Sequence, residues 1–326
     1  MQSTQTRFGR RLRASLGLLL GLACLNVGAQ DINSVKPFLR CPSGSFLLEG
    51  AATASRLLHV ARSDGQSTTL MSGFLTEFAL NGIGFNPLDR RIYGKRGPNN
   101  SPTFYALGAD GTFAGPFIVA GMTGNQANNV GDVDGDGYLH VLGGNAGAVG
   151  IAGSGGVAVV DVTPSRPTFM TVVRTYLRTA APEIGTALGV DMAYNAGDGL
   201  FYSLRSSNGQ IVTMNPSTGQ VALFGTVTGM PGSYGAQYLT IDQQLLVIDN
   251  ATGDQLRIDL RDPPLPVFAA GNGGITNMSN TDAAACPQQR FFAEPQVVPT
   301  LAPFGLALLA TLLATGVAAT RWRGKG

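Results

Sequence analysis

"IGFNPLDRRIYG" (residues 83–94) and "DMAYNAGDGLFYS" (191–203) are two copies of one unit. Phe85-Asn86 falls on Tyr194-Asn195, Asp89 on Asp198, and Ile92-Tyr93 on Phe201-Tyr202. Each copy runs on to a further strand and a Gly turn, "TFYALGADGTF" (103–113) in one and "QIVTMNPSTGQV" (210–221) in the other. Looser copies begin at "GDVDGDGYLHVLGG" (131–144), followed by "GVAVVDVTPSRPTF" (156–169), and at "YLTIDQQLLVIDN" (238–250), followed by "DQLRIDL" (254–260). Short runs rich in aliphatic and aromatic residues, bounded by Asn, Asp, Gly and Pro, read as strands and turns. The 45 glycines and the 13% of charged residues suit tight turns between mostly buried strands. Residues 41–286 carry no convincing amphipathic helix, so the fold class is all-β.

Four strands in about 40–45 residues make one blade of a β-propeller. Blades are expected near 79–121, 128–176, 186–229 and 234–270. The stretch 45–73 supplies three strands and lacks an inner one. "NTDAAACP" (280–287) reads as an inner strand with no blade after it. Together they complete a fifth blade from both ends of the domain; six blades is the alternative, if 121–185 hides another. On this layout Cys286 ends the closing strand and Cys41 sits just before the strand beside it, so a Cys41–Cys286 disulfide would clip the seam. Two thiols in an oxidising compartment are more often paired than free.

The compartment is read from the termini. Arg7, Arg10, Arg11 and Arg13 precede an apolar run, Ala14–Leu25, and the small residues Val27-Gly28-Ala29. This is the order of a secretory signal, with cleavage after Ala29; lipidation at Cys24 is the rival reading. Residues 30–40 lead into the propeller, and 287–297, with Pro287 and Pro295, form a linker. Leu306–Ala319 is apolar throughout, and with its flank is long enough for a transmembrane helix. Arg321, Arg323 and Lys325 follow, which would hold that end in the cytoplasm and the ectodomain outside.

"VPTLAPFG" (298–305) resembles the opening of the IPTL-CTERM sorting signal of Gram-negative surface proteins. Pro299, Thr300, Leu301 and Gly305 match its motif, Val298 stands for Ile and Phe304 for Trp. The resemblance implies recognition by an exosortase-like enzyme, with 298–326 as the sorting signal and the protein membrane-anchored at the cell envelope or surface until processed. The units "NGIGFNPLDRRIYG" and "GDVDGDGYLHV", with the late cysteine, also resemble an uncharacterised propeller-like family of bacterial surface proteins. That family lends no activity.

Fifteen Lys and Arg lie within residues 30–296 against all 20 acids, so the exported part is near −5. Nucleic acid is therefore not an expected partner. The most chemical-looking stretch is Asp132, Asp134 and Asp136 followed by Gly137. Alternating oxygen ligands before a Gly suit Ca²⁺, but position 12 of a full Ca²⁺ loop would be Gly143 instead of Glu. The other reading is an Asx-rich turn. His59 and His140 alternate with aliphatics and read as strand residues. Phe85, Tyr93, Tyr194 and Tyr202 read mainly as packing between blades. No Gly-x-Ser-x-Gly elbow surrounds Ser154, and the Gly-rich run 143–156 lacks the Lys-Ser/Thr ending of a phosphate cradle. No catalytic residue and no cofactor beyond Ca²⁺ is assigned. The expectation is a non-enzymatic binding or structural propeller, its ligand a polysaccharide or an envelope protein. The alternative is an envelope hydrolase or lyase acting on carbohydrate with carboxylates in the propeller funnel. Clustered funnel acids held at raised pKa would favour the alternative, and an uncharged, packed funnel the first reading.

Overall fold

The computed structural model describes residues 31–289 apart from 52–53, 62–65, 74–79, 97–101, 123–129, 143–154, 231, 233, 262–264 and 273–280. The expected signal peptide, sorting motif and C-terminal helix lie outside these residues. Among the described residues no helix is long and apolar enough to cross a membrane.

Among the described residues, twenty strands form five four-stranded antiparallel sheets, so the fold is a five-bladed β-propeller. Strands β1 (Ser45–Ala51), β2 (Ala54–Val60) and β3 (Ser67–Ser72) belong to the closing blade V. Blade I contains β4 (Leu80–Asn86), β5 (Arg91–Arg96), β6 (Thr103–Leu107) and β7 (Phe113–Ile118). Blade II contains β8 (Gly131–Val133), β9 (Tyr138–Leu142), β10 (Gly156–Asp161) and β11 (Thr171–Leu177). Blade III contains β12 (Ala193–Asn195), β13 (Leu200–Arg205), β14 (Gln210–Met214) and β15 (Val221–Thr226). Blade IV contains β16 (Tyr234–Leu239), β17 (Gln244–Asp249), β18 (Asp254–Asp259) and β19 (Val267–Asn272). The last strand, β20 (Thr281–Ala285), pairs with β1 and supplies the inner strand of blade V. Both ends therefore close one sheet, and 121–185 holds no sixth sheet among the described residues.

Burial follows position in the blade. Inner and middle strands such as β4, β6 and β10 are buried along their whole length. The outer strands β11 and β15 are mostly exposed or half-buried. The core fills the spaces between blades: Phe46, Phe85 and Phe38 join blades V and I, and Val160, Tyr93 and Val119 join I and II. Phe85, Tyr93 and Tyr202 are fully packed, as the repeat predicts, while Tyr194 is half-buried at the surface. The seam is also covalent: Cys41 and Cys286 form a disulfide with Cα atoms 5.5 Å apart. Gln289 adds to the closure, its Oε1 accepting from the Gly44 amide and its carbonyl from the Ile241 amide of blade IV.

Candidate functional site

An inner strand has no β-partner on the side of the propeller axis, so its amides there need other acceptors. Three buried aspartates fill that need in the same way. Asp132 Oδ1 accepts from the next amide, Val133, and Oδ2 from the Tyr194 amide of blade III. Asp191 takes the Met192 amide and the Gln237 amide of blade IV. Asp282 takes the Ala283 amide and the Ile83 amide of blade I. Each carboxylate thus binds its own inner strand to that of the following blade. Blades I and II have no such aspartate between them because their backbones meet directly. A Cβ on Gly84 would lie 2.4 Å from the Val133 nitrogen.

The cluster is electrostatically frustrated. Burial pushes all three carboxyls above the usual range, the backbone hydrogen bonds pull back, and the like charges of their neighbours add to the rise for Asp132 and Asp191. Asp191 and Asp282 are near enough at the axis for the charge of Asp282 to add to the rise of Asp191. Of the three, only Asp132 was singled out by sequence as a candidate site residue. Asp191 and Asp282 were missed, although "VDM", "GDV" and "TDA" put an acid before an apolar residue in three inner strands. Such an acid is a signal, because carboxylates are seldom fully buried without a partner.

The structure does not bring Asp132, Asp134 and Asp136 together. Asp132 faces the axis. Asp134 Oδ1 accepts from the Asp136 and Tyr138 amides, each at 3.0 Å, which makes the stretch an Asx turn. Its Oδ2 lies 2.9 Å from His140 Nε2, and His140 Nδ1 lies 3.0 Å from the Tyr176 hydroxyl. Asp136 points to solvent. Among the described residues no three His, Cys, Asp or Glu side chains converge as metal ligands. His140 is buried and bonded at both ring nitrogens, and burial raises the Tyr176 hydroxyl well above its usual range, so this chain of bonds holds the turn rigid.

Beside this turn, blades II and III part in a cleft of about 480 Å³. It is lined by Asp134, Asp136, Tyr138, Val159, Val173, Arg174, Tyr194, Gly199, Pro216 and Ser217. The walls are cross-braced. Tyr194 packs against Gly135 across the gap, where an added Cβ would lie 3.3 Å from the tyrosine hydroxyl. Arg174 donates to the Pro216 carbonyl at 2.7 Å and lies over the Tyr176 ring. Arg166 covers the Tyr138 ring, 4.7 Å from its centre, and donates to the Asp136 carbonyl. A second cleft of the same volume, between blades I and II, is lined by Leu88, Asp89, Arg91 and Thr163–Arg166 and has no aromatic wall. Both clefts are built from the hairpins that follow the inner strands and from those that lead to the outer ones, so one face of the ring carries them.

Solved structures with a similar fold include a chain of the nidogen/laminin complex, at 13% identity and TM-score 0.41, covering 74% of this chain and 86% of that one. Another is a protein of unknown function from Bacteroides caccae, at 13% identity and TM-score 0.37, covering 69% and 73%. A third is virginiamycin B lyase from Staphylococcus aureus, at 10% identity and TM-score 0.36, covering 70% and 69%. No curated protein matches the sequence. The model of a repeat of unknown function (DUF6923) matches residues 46–288, nearly the whole propeller, and the chain belongs to that family.

Proposed function

We propose that this chain is an exported propeller of the cell surface or extracellular matrix that binds a polymer and does no chemistry on it. The observation that carries the reading is the state of the axial acids. All six carboxylate oxygens of Asp132, Asp191 and Asp282 accept backbone amides, and all three residues are buried, so these groups are spent on holding blades together. The open, braced clefts lie elsewhere, on the hairpin face. The seam disulfide accords with an oxidising compartment. The leader at 1–29, the linker at 287–297 and the sorting signal at 298–326 complete the reading, with an exosortase-like enzyme as the processing partner and the membrane as a temporary anchor.

One observation favours the second reading, an envelope hydrolase or lyase: the axis does hold clustered acids, Asp132, Asp191 and Asp282, raised above the usual carboxylate range by burial, which is the feature expected of it. That reading needs substrate at the axis, and Asp191 and Asp282 are 1% exposed.

Intact mass spectrometry on membrane, surface and medium fractions tests the proposal. The expected masses begin near Gln30 and end near Val298–Pro303 in the surface or medium fraction. A mass running to Gly326, found in membranes alone, would replace sorting with plain anchoring.

A further inference from the structure

We propose that the cleft between blades II and III is a glycan site for neutral or amino sugars, closed to uronates. The proposal rests on the binding reading above and names the ligand class and the place. Tyr138 on blade II and Tyr194 on blade III border the cleft from opposite sides, and both are half-buried. A ring with one apolar face and one polar edge suits a sugar, whose C–H face packs on it while its hydroxyls seek hydrogen bonds at the rim.

The polar groups at that rim are available. The Asp136 carboxylate is exposed and makes no hydrogen bond or ion pair among the described residues. Its neighbour Asp134 is held by two amides and His140, so the turn that presents Asp136 is fixed before any ligand arrives. Arg174 is tied to the opposite wall through the Pro216 carbonyl and keeps further N–H donors for a ligand. A site whose walls are already ordered avoids the entropy of ordering them on binding.

Charge selects among sugars. Burial raises the Tyr194 hydroxyl above its usual range, and the charges of Asp134, Asp136 and Asp198 add to the rise. The lining holds two acids, Asp134 and Asp136, against one cation, Arg174, and residues 30–296 are near −5. A carboxylate-bearing sugar would meet like charge; a hydroxyl or ammonium would meet an acceptor. The cleft volume of about 480 Å³ falls within the ~300–1,000 Å³ usual for small-ligand sites.

The test is calorimetric titration of the purified full chain with three probes: glucosamine hexamer, cellohexaose and an oligogalacturonate. The first two are expected to bind and the third not. Asp136→Asn should weaken the glucosamine hexamer at least about fivefold, and Tyr138→Ala should weaken both binders about tenfold. Arg174→Gln, at an exposed position, covers the case in which Tyr138→Ala fails to fold, and should weaken both about threefold. Binding unchanged in Asp136→Asn and Arg174→Gln, preference for the oligogalacturonate, or no binding of any probe would overturn the proposal and leave the broader binding reading standing. Shorter oligosaccharides in the cell after titration, seen by mass spectrometry, would instead overturn the non-enzymatic reading.

Discussion

Asp191 shows how one residue can hold a ring together and tie it to pH. Its two oxygens join blades III and IV, and burial, with the Asp282 charge adding to it, pushes its carboxyl above the usual range. Unfolded, each axial aspartate ionises near its ordinary value of about 3.9. Above that pH the folded state holds protons that the unfolded state has released. Stability therefore falls as pH rises from about 4 toward the raised folded values, by about 1.4 kcal/mol per pH unit for each such proton. Asp259 acts in the other direction: its bonds to Arg261 lower it to about 2, so its contribution is lost as pH falls below 4. Chemical denaturation across pH 3–8 should place the stability maximum near pH 4–5. Asp191→Asn, which cannot ionise, should flatten the decline between pH 5 and 8. An equal decline in both proteins would mean that the axial acids are charged when folded.

At the level of the element, the Asp134 side chain closes the turn Asp134–Gly137 from within, and Arg166 clamps it from the Asp136 carbonyl. Because the oxygens of Asp132 and Asp134 are occupied, EDTA or millimolar Ca²⁺ should leave the melting temperature within about 1 °C, while Asp134→Ala should lower stability by roughly 1–3 kcal/mol through the unpaired His140 and the freed amides. The strands and hairpins of this fold were legible in the sequence because turns are local: Asn86, Asp89, Asn195 and Asp198 announce themselves within a few residues. The axial role of Asp132, Asp191 and Asp282 was not. Which amide each one caps depends on which blade arrives beside it, up to 199 residues away in the case of Asp282 and Ile83. The cleft was half legible. Tyr194 stood out as a repeat position, but its equivalent Phe85 is fully buried, and sequence gave no means to tell the two apart.

Across the whole molecule, ring closure was readable from the two incomplete units at 45–73 and 280–287. The bond between Cys41 and Cys286 spans a separation of 245 residues. In the chain-entropy model, closing so long a loop stabilises by about 5 kcal/mol. Reduction, or replacement of both cysteines by Ala, should lower the melting temperature by several degrees and leave the circular dichroism of the folded state unchanged. An unaltered melting temperature would show that β20 and Gln289 hold the seam unaided.

The same bond sets the path of force through the molecule. Because Cys41 and Cys286 are joined, tension between the two ends of the chain passes from one sulfur to the other and bypasses the five blades. A protein held at one end and pulled at the other would extend only by its outer segments, and the ring would remain at rest until the bond was reduced.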